Sequence, residues 1–404
     1  MAAASLAPKQ ALVCLDCDTL PSSDLFELFD HFFGPVLRSR DDAGLVAALV
    51  GCSVVYVAGD VCAAVDWLSA HVDASAVRVV SEYSTNYDAA ACTCVASGQL
   101  PRRVPGIGVL YPSYFENSLY GDVAGAHTFA DLTESNKPSD GSYRKGVYIT
   151  RATPEPDGSI AFKLLRCSTN FANPTDACRP VDDRIIGDVN AMAACCFDGA
   201  VELNHVLAQV YTNVVTDGKQ RKARIPSHSD KTKDMPSHGL IAFVSLYEFN
   251  PAVAYTREGY DVRRHGMSAL TTLRWAEKGG AGRKVDVLLS PGSVLLVSLE
   301  VNRLFTHEIK PSALPVDLLP TRLGYVVRCS KTDALHAADG ATYIVTAAGE
   351  RVALRKPTHD DMSELRTLYF LENSTSDVIV YSSATHGDVV PYSMNAGDYM
   401  APRL

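Results

Sequence analysis

Two regimes of apolar patterning divide the chain. Up to about residue 82 the order is βαβ-like: residues 11–17, 53–58 and 76–80 are short apolar runs of strand type. Between them, residues 24–33, 41–50 and 60–71 repeat apolar positions at helical spacing. A Pro- and Gly-punctuated stretch follows over 99–125, and the polar segment 134–142 reads as a linker. Beyond it the period shortens to strands. Residues 147–152 and 160–166, joined through Pro156-Asp157-Gly158, predict a hairpin. Most segments to about residue 331 are strand-like, with a helical stretch near 190–204. Residues 342–346 and 352–355 predict a second hairpin, and Thr358 with Asp361 caps a helix running towards Phe370. The expectation is an α+β chain with an α/β accessory module over 1–140, a strand-rich core over 141–335 and a C-terminal hairpin-and-helix extension over 336–404.

Composition narrows the class. With 404 residues, 47% hydrophobic and 21% charged, the chain reads as globular, with one or two domains. No apolar run is long enough for a membrane helix, and the N-terminus lacks the basic-then-apolar layout of a secretory signal. The expected location is therefore intracellular, cytoplasmic or nuclear. There the eleven cysteines are expected as free thiols rather than a disulfide framework. Cys14 and Cys17 form a CxxC, but no second pair at zinc-finger spacing completes a site. A net charge of −9 and a pI near 5.7 exclude broad, nonspecific nucleic-acid binding, though not a local basic cleft. No GxGxxG or Walker A sequence follows a strand of the first module, so nucleotide binding there has no support.

The chemistry concentrates in the second half. IPSHSDKTKD carries His228 and Asp230 on what reads as a strand end, where alternate residues face one side and can share an ion. NRLFTHEIKP supplies His307 as a third ligand. Two histidines and one carboxylate leave open positions, an arrangement suited to Fe(II) enzymes that bind a cosubstrate and dioxygen together. Before His307, VDVLLSPGSVLLVSL is two apolar strands split by Pro291-Gly292, as a jelly-roll turn requires. After it, TRLGYVVRC sets Arg322 and Arg328 an even step apart, on one strand face.

Together these stretches resemble the AlkB-like branch of the 2-oxoglutarate/Fe(II) oxygenases. The resemblance covers roughly residues 205–330: His228-Ser229-Asp230-Lys231, the apolar strand 240–247, Asn302 to Pro311, and the Arg322 to Arg328 strand. It implies a double-stranded β-helix (jelly-roll) catalytic core, with Fe(II) on His228, Asp230 and His307, and 2-oxoglutarate and O2 as cosubstrates. Arg322 would pair with the distal carboxylate of 2-oxoglutarate, for which a planar guanidinium is suited. Arg328 would brace the cosubstrate or Asp230. Gln209 and Tyr211 resemble the family's N-x-Y, whose side chains also reach the cosubstrate. The chain departs from the pattern at Gly324 and Val326, where the family carries asparagine and threonine. It also carries extra residues before His228 and a long insertion over about 255–282.

The implied activity is hydroxylation of a C–H bond, which on an N-methyl group amounts to demethylation with release of formaldehyde. The resemblance favours a methylated or alkylated nucleobase in DNA or RNA, flipped into the pocket. A rim of Lys219, Arg221, Lys222, Arg224, Lys231, Lys233, Arg263, Arg264, Arg274, Arg283 and Lys284 could hold phosphates. Tyr247, Tyr255, Tyr260 and Trp275 could stack a base, and the 147–166 hairpin falls where relatives often carry a substrate lid. A protein side chain or small metabolite is the alternative substrate, and a non-catalytic cupin-like module the alternative class.

Overall fold

The computed structural model describes residues 4–15, 22–39, 43–116, 118–132, 143–167, 171–248, 270–279, 282–382, 387 and 389–404. Two facing sheets form the centre. The larger runs Asp176–Ala177, Arg144–Thr150, His205–Tyr211, Arg322–Arg328, Leu240–Tyr247, Ser293–Ser298, Gly108–Tyr111 and Arg102–Val104, with Ala130–Asp131 beside Arg144–Thr150. The smaller runs Ile225–His228, Phe305–Lys310, Thr272–Glu277 and Lys284–Leu288, all antiparallel. From His205 onward most consecutive strands are dealt between these two sheets, as in a jelly roll.

Strict alternation assigns each strand of the large sheet two faces. Val206, Ala208, Ala242, Val244, Leu323, Tyr325 and Val327 pack outward against Ile185, Ile186, Val189 and Met192 of the helix Pro180–Cys196. Leu207, Ile241, Phe243 and Leu295 point the other way and meet Leu273, Trp275, Phe305 and Ile309 of the small sheet. The site lies between the sheets on this second face.

The N-terminal run forms a separate sheet, Val36–Leu37, Gln10–Leu15, Val54–Asp60, Val77–Thr85 and Cys94–Val95, parallel throughout. Its interior strand Gln10–Leu15 is buried along its whole length, which suits a parallel strand covered on both faces. The helix Val61–Leu68 starts where the Asp60 carboxylate accepts the Ala63 amide. Residues 102–131, read from sequence as part of this module and its exit, instead contribute strands to the large sheet. Cys14 is disulfide-bonded, against the expectation of free thiols, while Cys52, Cys62, Cys92, Cys94, Cys167, Cys178, Cys195, Cys196 and Cys329 are free.

Two further expectations are corrected. The predicted 147–166 hairpin forms only from Ala152 onward, and residues 147–150 take no part in it. Arg144–Thr150 is an interior strand of the large sheet, paired along its length with His205–Tyr211. The actual hairpin joins Ala152–Pro154 to Ile160–Leu164, and the latter pairs with Thr332–His336, which leads through Thr342–Val345 to Arg351–Ala353. This five-stranded sheet spans the boundary expected at residue 335, and its strands do not line the cavity described below. The helix expected near 190–204 lies earlier, because Pro180 is well placed in a first helical turn and Asp182 accepts the Arg179 amide.

The C-terminal helix is found as read, over His359–Ser374: Thr358 accepts from the Asp361 amide while Asp361 accepts from the Thr358 amide. Among the described residues no helix is long and apolar enough to cross a membrane.

Candidate active site

His228 ends the edge strand of the small sheet and sits directly across from His307 on the neighbouring strand. Their rings are 4.4 Å apart. Asp230 follows in the loop, and one ligand atom from each of His228, Asp230 and His307 lies within 4.8 Å of the others. No other group of three potential ligands occurs among the described residues.

His228 and Asp230 are held by hydrogen bonds and His307 by ring packing. His228 Nδ1 is 2.9 Å from the Pro226 carbonyl, which fixes Nδ1 as the donor and leaves the Nε2 lone pair free. His307 is buried between Phe243 and Trp275, with Nδ1 lacking a hydrogen-bond partner among the described residues. Asp230 is fixed by its backbone: its amide donates to Asn302 Oδ1 at 2.8 Å, and Asn302 Nδ2 donates to its carbonyl at 2.9 Å. Arg328 Nε donates to Asp230 Oδ2 at 2.8 Å.

The charge states suit metal binding. Burial lowers the His307 pKa to about 3, reinforced by His228, and burial also lowers that of His228, so both rings are neutral at physiological pH. Burial alone would raise the Asp230 carboxyl, but Arg328 and the two histidines outweigh it and hold it well below the usual carboxylate range. Two neutral imidazoles and a carboxylate are a donor set for a divalent first-row metal.

Beside the triad lies a cavity of about 440 Å³ whose lining includes Gln209, Tyr211, Arg322 and Arg328. Register places them in cross-strand rows. Tyr211, Arg322 and Tyr247 form one row, Gln209, Gly324 and Ser245 the next, and His205, Arg328 and Ile241 the last. The Arg322 guanidinium stacks 4.7 Å from the Tyr211 ring centre and donates from Nη2 to Ser245 Oγ at 3.1 Å. Its Nε and Nη1 are buried without partners among the described residues, as is Nη1 of Arg328. Tyr211 donates its hydroxyl to Gln209 Oε1 at 2.8 Å.

Gly324 explains its own departure from the expected asparagine. A Cβ there would lie 3.1 Å from Arg322 Nη2 and 3.2 Å from Tyr211 Cε2, so any side chain would press on the stacked pair.

The structure adds residues that the sequence reading assigned no role: Asn302, Ser245, Cys167 and Asn373. Cys167 and Asn373 line the cavity, and Asn373 accepts the Ser229 amide at 2.7 Å. Even-numbered spacing from Arg322 flagged no partner for it; Ser245 becomes visible only through strand register.

Four members of the expected basic rim are occupied internally. Arg274 pairs with Asp286 at 2.7 Å, Arg283 donates to the Pro105 carbonyl, and Lys222 donates to Ser312 and Leu314 carbonyls. Lys233 is buried against Tyr369. Lys231 and Arg144 line the cavity, and Lys219 and Arg221 lie on the exposed hairpin Val214–Thr216 and Lys219–Arg221. Of the proposed stacking aromatics, Tyr247 and Trp275 are fully buried in the core. Tyr255, Tyr260, Arg263 and Arg264 lie outside the described residues.

No family model matches the chain, and no curated protein matches it. Among solved structures, a Pseudomonas putida prolyl-4-hydroxylase is similar at TM-score 0.30 and 12% identity, covering 54% of this chain and 90% of that one. OsALKBH1 is similar at TM-score 0.31 and 14% identity, covering 53% of this chain and 91% of its own. Likeness this slight leaves the chemistry to be argued from the side chains themselves.

Proposed function

We propose that this chain is an Fe(II)- and 2-oxoglutarate-dependent dioxygenase. One observation carries the reading: three converging metal ligands share a cavity with a buried guanidinium, Arg322, that has two donors without a partner among the described residues. A buried cation without an anion is costly by several kcal/mol, and a bound carboxylate of matching fork geometry would offset that cost.

In this reading His228, Asp230 and His307 hold the metal, and Arg322 anchors the far carboxylate of 2-oxoglutarate. Tyr211 stacks on that guanidinium and, with Gln209, borders the cosubstrate. Arg328 braces the metal-ligating carboxylate of Asp230, the second of the two roles considered for it. Bound iron and 2-oxoglutarate would supply oxidation of a C–H bond by dioxygen, with 2-oxoglutarate converted to succinate and carbon dioxide. The protein's part is orientation, exclusion of water and a fixed electrostatic frame.

For the substrate we carry a methylated or alkylated nucleobase, with Arg144, Lys231 and the exposed Lys219 and Arg221 as its phosphate contacts. A protein side chain or small metabolite is the second reading, favoured by the internal pairing of Arg274, Arg283 and Lys222. The N-terminal parallel sheet serves as an accessory module for docking or stability.

The test is succinate formation from 2-oxoglutarate by the Fe(II)-loaded protein, with His228→Ala as control. Equal succinate from both proteins would remove this site from the chemistry. Methylated oligonucleotides, peptides and metabolites are then compared for formaldehyde release or gain of one oxygen. Turnover of a peptide or metabolite with none of any oligonucleotide overturns the nucleobase reading.

A further inference from the structure

The last turn of the C-terminal helix lies against the loop that carries Asp230, and the contact is almost wholly polar. Asn373 Oδ1 accepts the Ser229 amide, while its Nδ2 donates to the Tyr369 carbonyl at 2.7 Å. Glu372 accepts the Thr232 amide at 3.0 Å and hydroxyl at 2.5 Å, and its second oxygen accepts the Tyr381 hydroxyl at 2.5 Å. Tyr369 accepts from Lys233 through its hydroxyl and offers its ring to the Lys231 ammonium at 4.2 Å. Every residue of 229–233 other than Asp230 is therefore held by this helix, and Asp230 is held by Asn302. A strap from the other side closes the arrangement: Lys278 donates to the Glu372 carbonyl and Arg303 to the Ser376 carbonyl.

Core packing does not explain this contact. Of sixteen residues the helix buries only Leu365, Tyr369 and Glu372. Burying a glutamate is costly unless its oxygens are bonded, and here one oxygen is bonded by Thr232 of the metal-binding loop and the other by Tyr381. Asn373 also lines the cavity itself.

We propose that the C-terminal helix is a working part of the metal centre. Asn373 and Glu372 are positioning residues that fix the approach of His228 and Asp230 and so set metal affinity. The proposal rests on the iron reading above, and partners of this kind typically contribute 10–100-fold in metal affinity.

Co(II), a redox-stable probe with visible absorption sensitive to ligand geometry, is titrated into the full chain and into Asn373→Ala and Glu372→Ala. Arg366→Ala, on the outer face of the same helix, is the control. Wild type and Arg366→Ala are expected to bind one Co(II) with the same affinity and spectrum. The two variants are expected to bind about 10–100-fold more weakly, with an altered visible spectrum. Asn373→Asp, which still offers an acceptor to Ser229, is expected to recover much of the loss.

Unchanged affinity and spectrum in both alanine variants overturn the proposal. If those variants do not fold, Asn373→Ser, too short to reach the Ser229 amide, carries the same criterion. Failure of the wild type to bind Co(II) or Fe(II) would instead overturn the iron reading, and this inference with it.

Discussion

Replacing Arg322 by methionine separates the two sides of the cosubstrate argument. Without ligand, Arg322 is 4% exposed, and the only hydrogen bond of its guanidinium among the described residues goes to Ser245. Losing that bond costs about 1 kcal/mol, and losing the stack on Tyr211 about 1–2 kcal/mol. Against this stands relief of a desolvated charge whose remaining donors are unpaired, worth several kcal/mol. The ligand-free variant should therefore be as stable as wild type or more stable by up to about 2 kcal/mol. Its affinity for 2-oxoglutarate should fall by about 2–5 kcal/mol, tens- to thousands-fold, because a buried charge-assisted pair is truncated. Urea unfolding of the ligand-free protein and anaerobic calorimetric titration with 2-oxoglutarate read the two quantities separately. A variant destabilised by 2 kcal/mol or more without ligand would mean that the protein already compensates the guanidinium. Wild-type affinity for 2-oxoglutarate would mean that the cavity is not its site.

Asn302→Leu removes both amide bonds to the Asp230 backbone and should cost about 2–4 kcal/mol of stability and about 10–100-fold in metal affinity, measured by denaturation and metal titration. Arg166 and Asp234 form a buried pair at 2.6 Å. Asp234→Asn should cost about 3–5 kcal/mol, seen as a fall in Tm, while the Co(II) spectrum of folded protein is unchanged.

His127 sits between Asp176 and Asp182 at 3.0 and 2.8 Å. Burial would lower its pKa, but the bonds to the two carboxylates raise it to about 9. A raised histidine contributes stability that is complete below its unfolded value near 6.5 and is lost as pH rises through about 9. Up to about 3 kcal/mol should disappear over that window in urea midpoints, and His127→Gln should flatten the curve.

Much of the site could be read without coordinates because its determinants are local or periodic. The HxD step, the even spacing of Arg322 and Arg328, and Gln209 with Tyr211 each fix a strand face, and alternation did bring them to one cavity. Pairing across the chain was not legible. The Pro156-Asp157-Gly158 turn was read correctly, but which strand entered it was not. Val147 to Thr150 is buried on both faces and belongs to an interior strand, whereas the paired segment begins at Ala152. Three members of the basic rim were lost to it for a related reason: Asp286, Pro105 and Ser312, which occupy Arg274, Arg283 and Lys222, lie far away in sequence or on another strand. Asn373 gave no signal either, since an asparagine at a helix end acquires meaning only from the amide it meets.

The cross-strand placement of His228 opposite His307 has a consequence for the edge of the small sheet. Ile225–His228 is an edge strand whose register shifts between its two paired positions, so backbone pairing alone specifies it weakly. Slippage by one residue would turn His228 to the opposite face. An ion gripped by both rings would forbid that slip, acting as a pin through the seam of the sheet. Amide exchange at residues 225–228 should then slow sharply when metal is added, while exchange in the interior strand Arg322–Arg328 barely changes. The metal would in this way help to specify the structure that binds it, and the ligand-free protein would lose alignment at this seam before it loses its fold.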